Sequence, residues 1–322
     1  MIRFVVGLVF LLLASCGGGE GGGGGVGSGG TGINAGGVSI GSVSGFGSII
    51  VNDVRYNVDT AALSLDDANS LALGMTVRVA GAVSADSSTG TATSVMTAAE
   101  MRGTVSAINA GSGTFVVLGT TVSTDEATVV DGVAGLASLV NGDAVQVYGL
   151  PAAPGSLRAT RIEKSAAGSG LVVTGSVVNL DSSSRTFQLG GLAVNYAGAG
   201  LSDGLVAGNL TNGMLVRVRA AAEPVSGVLA ATQLQPWYSI PSTNRTPVNL
   251  AGVVTDYASL SSFKLLGTSI DASAALVTGG PGSSVGNGVK LEVSGVMPGG
   301  VLRAATLKIK HIPGTGGLHR LP

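Results

Sequence analysis

The chain has 322 residues with 17 basic and 18 acidic side chains, and its charged fraction of 11% is under half of the roughly 25% usual in globular domains. Near-neutral, scattered charge excludes the basic stripe that capture of nucleic acid requires, and a single cysteine excludes a disulfide framework or a cysteine-built zinc site. Glycine, at 54 residues, favours turns and short strands over helices, and a hydrophobic share of 45% is enough to build cores.

Residues 1–15 begin with one base, Arg3, continue in an apolar run over 4–13 and end in small residues, the pattern of a secretory signal peptide. The run is too short to cross the roughly 30 Å of a bilayer core. Leu13-Ala14-Ser15-Cys16 resembles the bacterial lipobox, with Ser15 where Gly or Ala is commoner. That resemblance implies cleavage before Cys16, lipidation of Cys16, and a membrane partner reached through the lipid anchor. Gly17 follows instead of an aspartate, which points to the outer membrane of the cell envelope. Residues 17–37 hold 14 glycines in 21 positions, so residues 16–37 read as a flexible lipid-anchored tether. Its incidental G-x-G-x-x-G has no leading strand or following helix, and a dinucleotide site is rejected.

Beyond the tether one unit recurs four times. Each copy starts at Gly-x-Val (Gly41, Gly103, Gly175, Gly252) and later repeats a turn-and-strand motif at residues 71–81, 139–149, 210–220 and 285–295. The predicted units span residues 38–100, 101–164, 171–235 and 247–310, followed by a flexible tail over 311–322. In the second unit strands are predicted at 103–108, 114–118 and 121–124, then a longer connection over 125–139 with room for a helical turn. Two more strands follow the Asn141-Gly142 turn. Alternation places Val145 and Val147 inward and Gln146 outward; Arg78, Arg217 and Glu292 take the same outward slot and are expected to face solvent. Phe115, Phe187 and Phe263 share one second-strand slot, held by Ile49 or Ile50 in the first copy, and read as core.

Three strands, a connection and two strands is the order of an OB-like barrel; a small β-sandwich fits the same order. The expectation is an all-β chain: a tandem array of four small five-stranded antiparallel OB-like barrels behind a lipidated glycine-rich tether. Units of about 60–70 residues are marginal alone, so neighbours should lean on one another.

Candidate chemistry is sparse. The two histidines, His311 and His319, lie at the C-terminal end and form no zinc or triad pattern. The acidic pairs Asp66-Asp67 and Asp125-Glu126 lack calcium-loop spacing and read as solvated loop charge. Arg55, Tyr56, Tyr196 and Lys264 are the few residues on second or third strands that suit an OB-type binding face. Trp237, the sole tryptophan, reads as a packing residue in the seam between the third and fourth units. No catalytic, cofactor-binding or metal-binding residue is singled out; Cys16 is the one modification site.

At Gly45-Phe46-Gly47-Ser48-Ile49-Ile50-Val51-Asn52, continued by Val54, Arg55 and Tyr56, the first unit resembles a family of bacterial envelope lipoproteins with tandem domains of unknown function. Residues 155–163 resemble the closing strand of that family. The resemblance implies small β-barrels on an envelope lipoprotein and carries no known activity or ligand. The expected function is non-enzymatic: a structural or protein-interaction role at the envelope, facing periplasm or surface. The alternative is a binding module for a small ligand or glycan on the barrel faces.

Overall fold

A computed structural model describes residues 34–66, 68–84, 86–132, 135–165, 170–240 and 246–314. The signal peptide, Cys16, most of the tether, Asp67 and His319 lie outside the described residues. The described chain is all-β, with no α-helix and only four short 3-10 turns.

Each unit contributes six strands. Unit 1 holds β1 (Asn34–Gly45), β2 (Ile49–Val51), β3 (Val54–Asn57), β4 (Ala62–Leu65), β5 (Thr76–Val83) and β6 (Thr89–Thr97). Unit 2 holds β7 (Met101–Asn109), β8 (Thr114–Val117), β9 (Thr120–Ser123), β10 (Val129–Asp131), β11 (Ala144–Pro151) and β12 (Ser156–Lys164). Unit 3 holds β13 (Leu171–Asp181), β14 (Thr186–Leu189), β15 (Leu192–Asn195), β16 (Gly200–Leu201), β17 (Leu215–Ala220) and β18 (Val228–Pro236). Unit 4 holds β19 (Pro247–Ser259), β20 (Ser262–Leu265), β21 (Thr268–Asp271), β22 (Leu276–Thr278), β23 (Lys290–Val296) and β24 (Val301–His311).

One pairing scheme serves all four units. In unit 2, β7 pairs β8, β8 pairs β9, β12 pairs β11, and β11 returns to β7, all antiparallel. The link that closes this circuit, β9 to β12, is parallel. Parallel links occupy the same place in the other copies, β3–β6, β15–β18 and β21–β24. The wholly antiparallel, five-stranded expectation is therefore corrected. The long connection after the third strand is also not simply a helical turn: it contributes a sixth strand (β4, β10, β16 or β22) that pairs in parallel with the last strand. In units 2, 3 and 4 a single 3-10 turn follows it.

The recurrent turn glycine is dictated by backbone geometry. Gly74, Gly142, Gly213 and Gly288 have φ of +81°, +93°, +86° and +88°, a region that costs an L-residue about 1–2 kcal/mol. Each donates its N–H to the first strand of its unit, at Val43, Val105, Val177 or Val254, over 2.8–2.9 Å. The same four valines donate back to the carbonyl of the residue after the glycine. The motif is thus a clamp that fixes where the fifth strand meets the first. Two residues farther on begin the inward apolar pairs, of which Val77, Val79, Val145, Val147, Val216, Val218, Leu291 and Val293 are all buried. Full burial of such a side chain contributes about 1.5–3 kcal/mol. Ile49, Phe115, Phe187 and Phe263 occupy equivalent buried positions, opposite Tyr56, Val122, Val194 and Ile270.

The units form one body. The start of β1 pairs in parallel with β19, Val38 to Val248 through Ile40 to Leu250, so the first unit joins the last. The start of β7 pairs with β13 at Arg102–Val172 and Met101–Val173, and the apolar interiors of units 2 and 3 form one continuous cluster. Two boundaries shift accordingly. Strand β1 begins at Asn34, inside the stretch read as tether, because its early residues have β5 to pair with. His311, read as tail, closes β24 opposite Lys290.

A Cβ on Gly213 would meet nothing within 4 Å, so Gly213→Ala isolates the backbone cost. It should lower the unfolding free energy by about 1–2 kcal/mol in denaturant melts. Gly208→Ala, equally uncrowded but without a left-handed φ, should stay within about 0.5 kcal/mol.

Candidate functional site

The described residues concentrate their buried polar groups where the units meet. Between β6 and β7 only Ala98, Ala99 and Glu100 intervene, too short a joint to separate two units, and Glu100 is fully buried. The Thr76 hydroxyl of β5 donates to both its carboxylate oxygens at 2.9 Å. The Gly149 N–H of β11 donates to Oε2 at 2.9 Å, and the Tyr238 hydroxyl, from the segment after unit 3, donates to Oε1. One carboxyl group therefore gathers two units and the segment that follows the third.

Burial outweighs these donors and the charge of Arg217, pushing the Glu100 carboxyl up from 4.5 to about 7. Tyr238 is pushed well above 10, first by its own burial and then by Glu100, so its hydroxyl remains a donor. Arg217, 1% exposed, lies alongside. Its Nε donates to the Ala99 carbonyl at 3.0 Å, and one terminal nitrogen to Asp66 Oδ2 at 3.1 Å. Its guanidinium carbon sits 5.0 Å from the centre of the Trp237 ring, within cation–π range. Arg219 pairs with the same Asp66 oxygen.

Two expectations are overturned here. The slot expected to face solvent does not: Arg217 and Gln146 are buried, Arg78 and Glu292 are half-buried. Gln146 accepts from Arg102 and donates to the Tyr148 hydroxyl and to Glu163, and Glu292 pairs with Lys310 at 3.0 Å. For Arg217, outward from its own unit is inward to the assembly, because the Ala99 joint, Asp66 of unit 1 and Trp237 lie against that face; Gln146 and Glu292 are held by partners from their own units. Asp66, Asp125 and Glu126 are not merely solvated either. Asp66 holds unit 3, while Asp125 pairs with Lys290 at 3.5 Å and Glu126 with His311 at 3.1 Å, fastening unit 2 to unit 4. Asp53 pairs with Lys308 across units 1 and 4.

The residues suited to an OB-type face are not brought together. Tyr56 is buried in unit 1 and bonded to Ser39 at 2.5 Å. Tyr196 packs beside Phe187 with ring centroids 5.6 Å apart. Arg55 donates to the Gly47 carbonyl and Lys264 pairs with Asp256 at 2.8 Å. Trp237 and Tyr238 pack in the seam, both buried. Among the described residues no three or more His, Cys, Asp or Glu side chains cluster as a metal site.

Residues 39–96 and 102–163 each match the family model described as a domain of unknown function, DUF5666. Units 1 and 2 are thus similar to that domain, in tandem. No curated protein matches the chain. Units 3 and 4 repeat the same strand pairing outside the matched residues.

Glu100 and Arg217 were missed as junction residues. The available signal for Glu100 was the joint itself: Ala98-Ala99-Glu100-Met101 lacks the Gly, Ser or Pro of a flexible linker. Chemically this cluster binds and holds a proton. The folded protein keeps the Glu100 proton between pH 4.5 and about 7, where the unfolded chain has lost it. Stability is therefore greatest below about pH 4.5 and falls as pH rises through 7. At ~1.4 kcal/mol per pH unit the span amounts to about 3 kcal/mol. Denaturant melts of Glu100→Gln should show that decline flattened, with stability at pH 8 equal to or above the unsubstituted protein. An unchanged slope would remove Glu100 from this account.

Proposed function

We propose that the chain is a lipid-anchored cell-envelope protein, held at the outer membrane through Cys16, whose four OB-like units act together as a single structural or protein-interaction body without enzymatic activity. The carrying observation is the destination of the charged groups: Asp53, Asp66, Asp125 and Glu126 each pair with a base from a distant unit. Groups that a catalytic face would converge on a substrate instead fasten the units to one another. The OB-like assignment is supported by the closed order of pairings with its parallel link between third and last strands. The signal-like residues 1–15, Cys16 and the glycine-rich stretch behind it support the lipid anchor.

Metabolic labelling with an alkyne fatty acid, followed by membrane fractionation, tests the anchor. The protein should carry label and sediment with membranes, and Cys16→Ser should do neither; labelled or membrane-bound Cys16→Ser contradicts it. Cross-linking in intact envelopes then tests the role. Recurrent protein partners are expected, whereas glycan-array binding without such partners would favour the ligand-binding alternative.

A further inference from the structure

Three of the four turns that lead into a fifth strand carry the dipeptide Asn-Gly: Asn141-Gly142 in unit 2, Asn212-Gly213 in unit 3 and Asn287-Gly288 in unit 4. Unit 1 has Leu73-Gly74 there. Asn-Gly cyclises readily, because glycine has no Cβ to obstruct attack by its own nitrogen on the preceding side-chain amide. We infer that Asn141 is a modification site, the one of these three turns at which the fold concentrates spontaneous deamidation. The inference is independent of the interaction role proposed above.

The three turns are matched controls for one another. Their glycines have φ of +93°, +86° and +88°. Each glycine donates its N–H to the first strand of its unit over 2.8–2.9 Å, and the residue after it donates to the carbonyl before the asparagine over 3.1–3.2 Å. All three asparagines are exposed, so water reaches each. What differs is the hold on the side chain. Asn212 Oδ1 accepts the Leu180 N–H and Asn287 Oδ1 accepts the Tyr257 N–H, both at 2.9 Å, which fastens these amides to the bulges of β13 and β19. The corresponding residue of β7 is Ile108, yet among the described residues no group bonds the Asn141 side chain. In unit 2 the turn is held instead by Asp143, whose Oδ2 accepts the Val140 N–H at 3.0 Å. The other two copies have Met214 and Val289 in that place. Asp143 thus secures the turn without engaging Asn141, and the Asn141 amide stays free to rotate.

In the reaction the Gly142 nitrogen gives its proton to solvent hydroxide and attacks Asn141 Cγ. The N–Cγ bond forms, the Cγ–Nδ2 bond breaks, and Nδ2 leaves with a solvent proton as ammonia. Water then opens the five-membered imide at either carbonyl, leaving aspartate or isoaspartate at position 141. The Gly142 N–H must first part from the Val105 carbonyl, a cost that all three turns share. Asn212 and Asn287 must in addition release their side-chain amides, and one net hydrogen bond corresponds to a roughly two- to tenfold smaller reactive population. An isoaspartate at 141 adds a methylene to the main chain beside the N–H that clamps the start of β11 to β7.

The test incubates the full chain in mildly alkaline buffer and follows the three Asn-Gly peptides by mass spectrometry, with isoaspartyl methyltransferase labelling as a second readout. In the folded protein Asn141 should convert roughly two to ten times faster than Asn212 or Asn287. In denaturant, where all three side chains are released, the rates should converge. Asn141→Gln, whose longer side chain cyclises far more slowly, should remove the first acidic form to appear in the folded protein. Equal rates in the folded chain, a faster site at 212 or 287, or a preference for 141 that persists in denaturant would overturn the inference.

Discussion

The structure depends on burial of polar side chains where its units meet, and Glu100 with Arg217 is the centre of that constraint. A unit of 60–70 residues buries only about 60% of its unfolded surface and has little margin for independent stability. This chain contains no pair of cysteines to staple one. Its units instead cover one another's outer faces. Once Arg217 and Glu100 are out of water, each needs partners, because an uncompensated buried charge, or a buried carboxyl left without hydrogen bonds, is destabilising. Those partners come from two units and a joining segment: Asp66 and Thr76 from unit 1, Gly149 from unit 2, and Tyr238 from the segment beyond unit 3. A partner supplied from another unit cannot be satisfied unless both units are in place. Polar satisfaction thus makes the packing specific, while apolar burial makes it favourable.

What could be read from the sequence were the local rules. The turn glycines follow from a positive φ that only glycine adopts cheaply. The paired valines follow from the two-residue period of a strand, and the buried phenylalanines from their replacement by isoleucine in the first copy. These are short-range constraints, and each recurs four times. The parallel links were not visible in the same way, because parallel strands in these units lie far apart in sequence and no turn residue announces them. The short sixth strands were hidden for a different reason: β16 has only two residues, too few to show alternation.

The misreading of Arg217 has the clearest physical cause. Alternation correctly separates the face toward Val216 and Val218 from the opposite one, but it cannot say what lies against that opposite face. In a lone barrel it would be water; here it is Ala99, Asp66 and Trp237. The same reasoning accounts for Asp125, whose side chain is 1% exposed although its neighbours resemble an ordinary surface turn. The different side chains that the four copies carry at this slot suit an assembly in which the copies have different surroundings.

A single body also bears on function. Independent domains on flexible joints would act as separate contacts, whereas four units locked through Glu100, Arg217 and the β1–β19 pairing present one fixed surface. Differential scanning calorimetry of the whole chain tests this most directly. Interlocked units should unfold in one transition whose calorimetric and van't Hoff enthalpies agree. Two or more resolved transitions, or a calorimetric enthalpy several times the van't Hoff value, would show that the units fold independently and contradict the account.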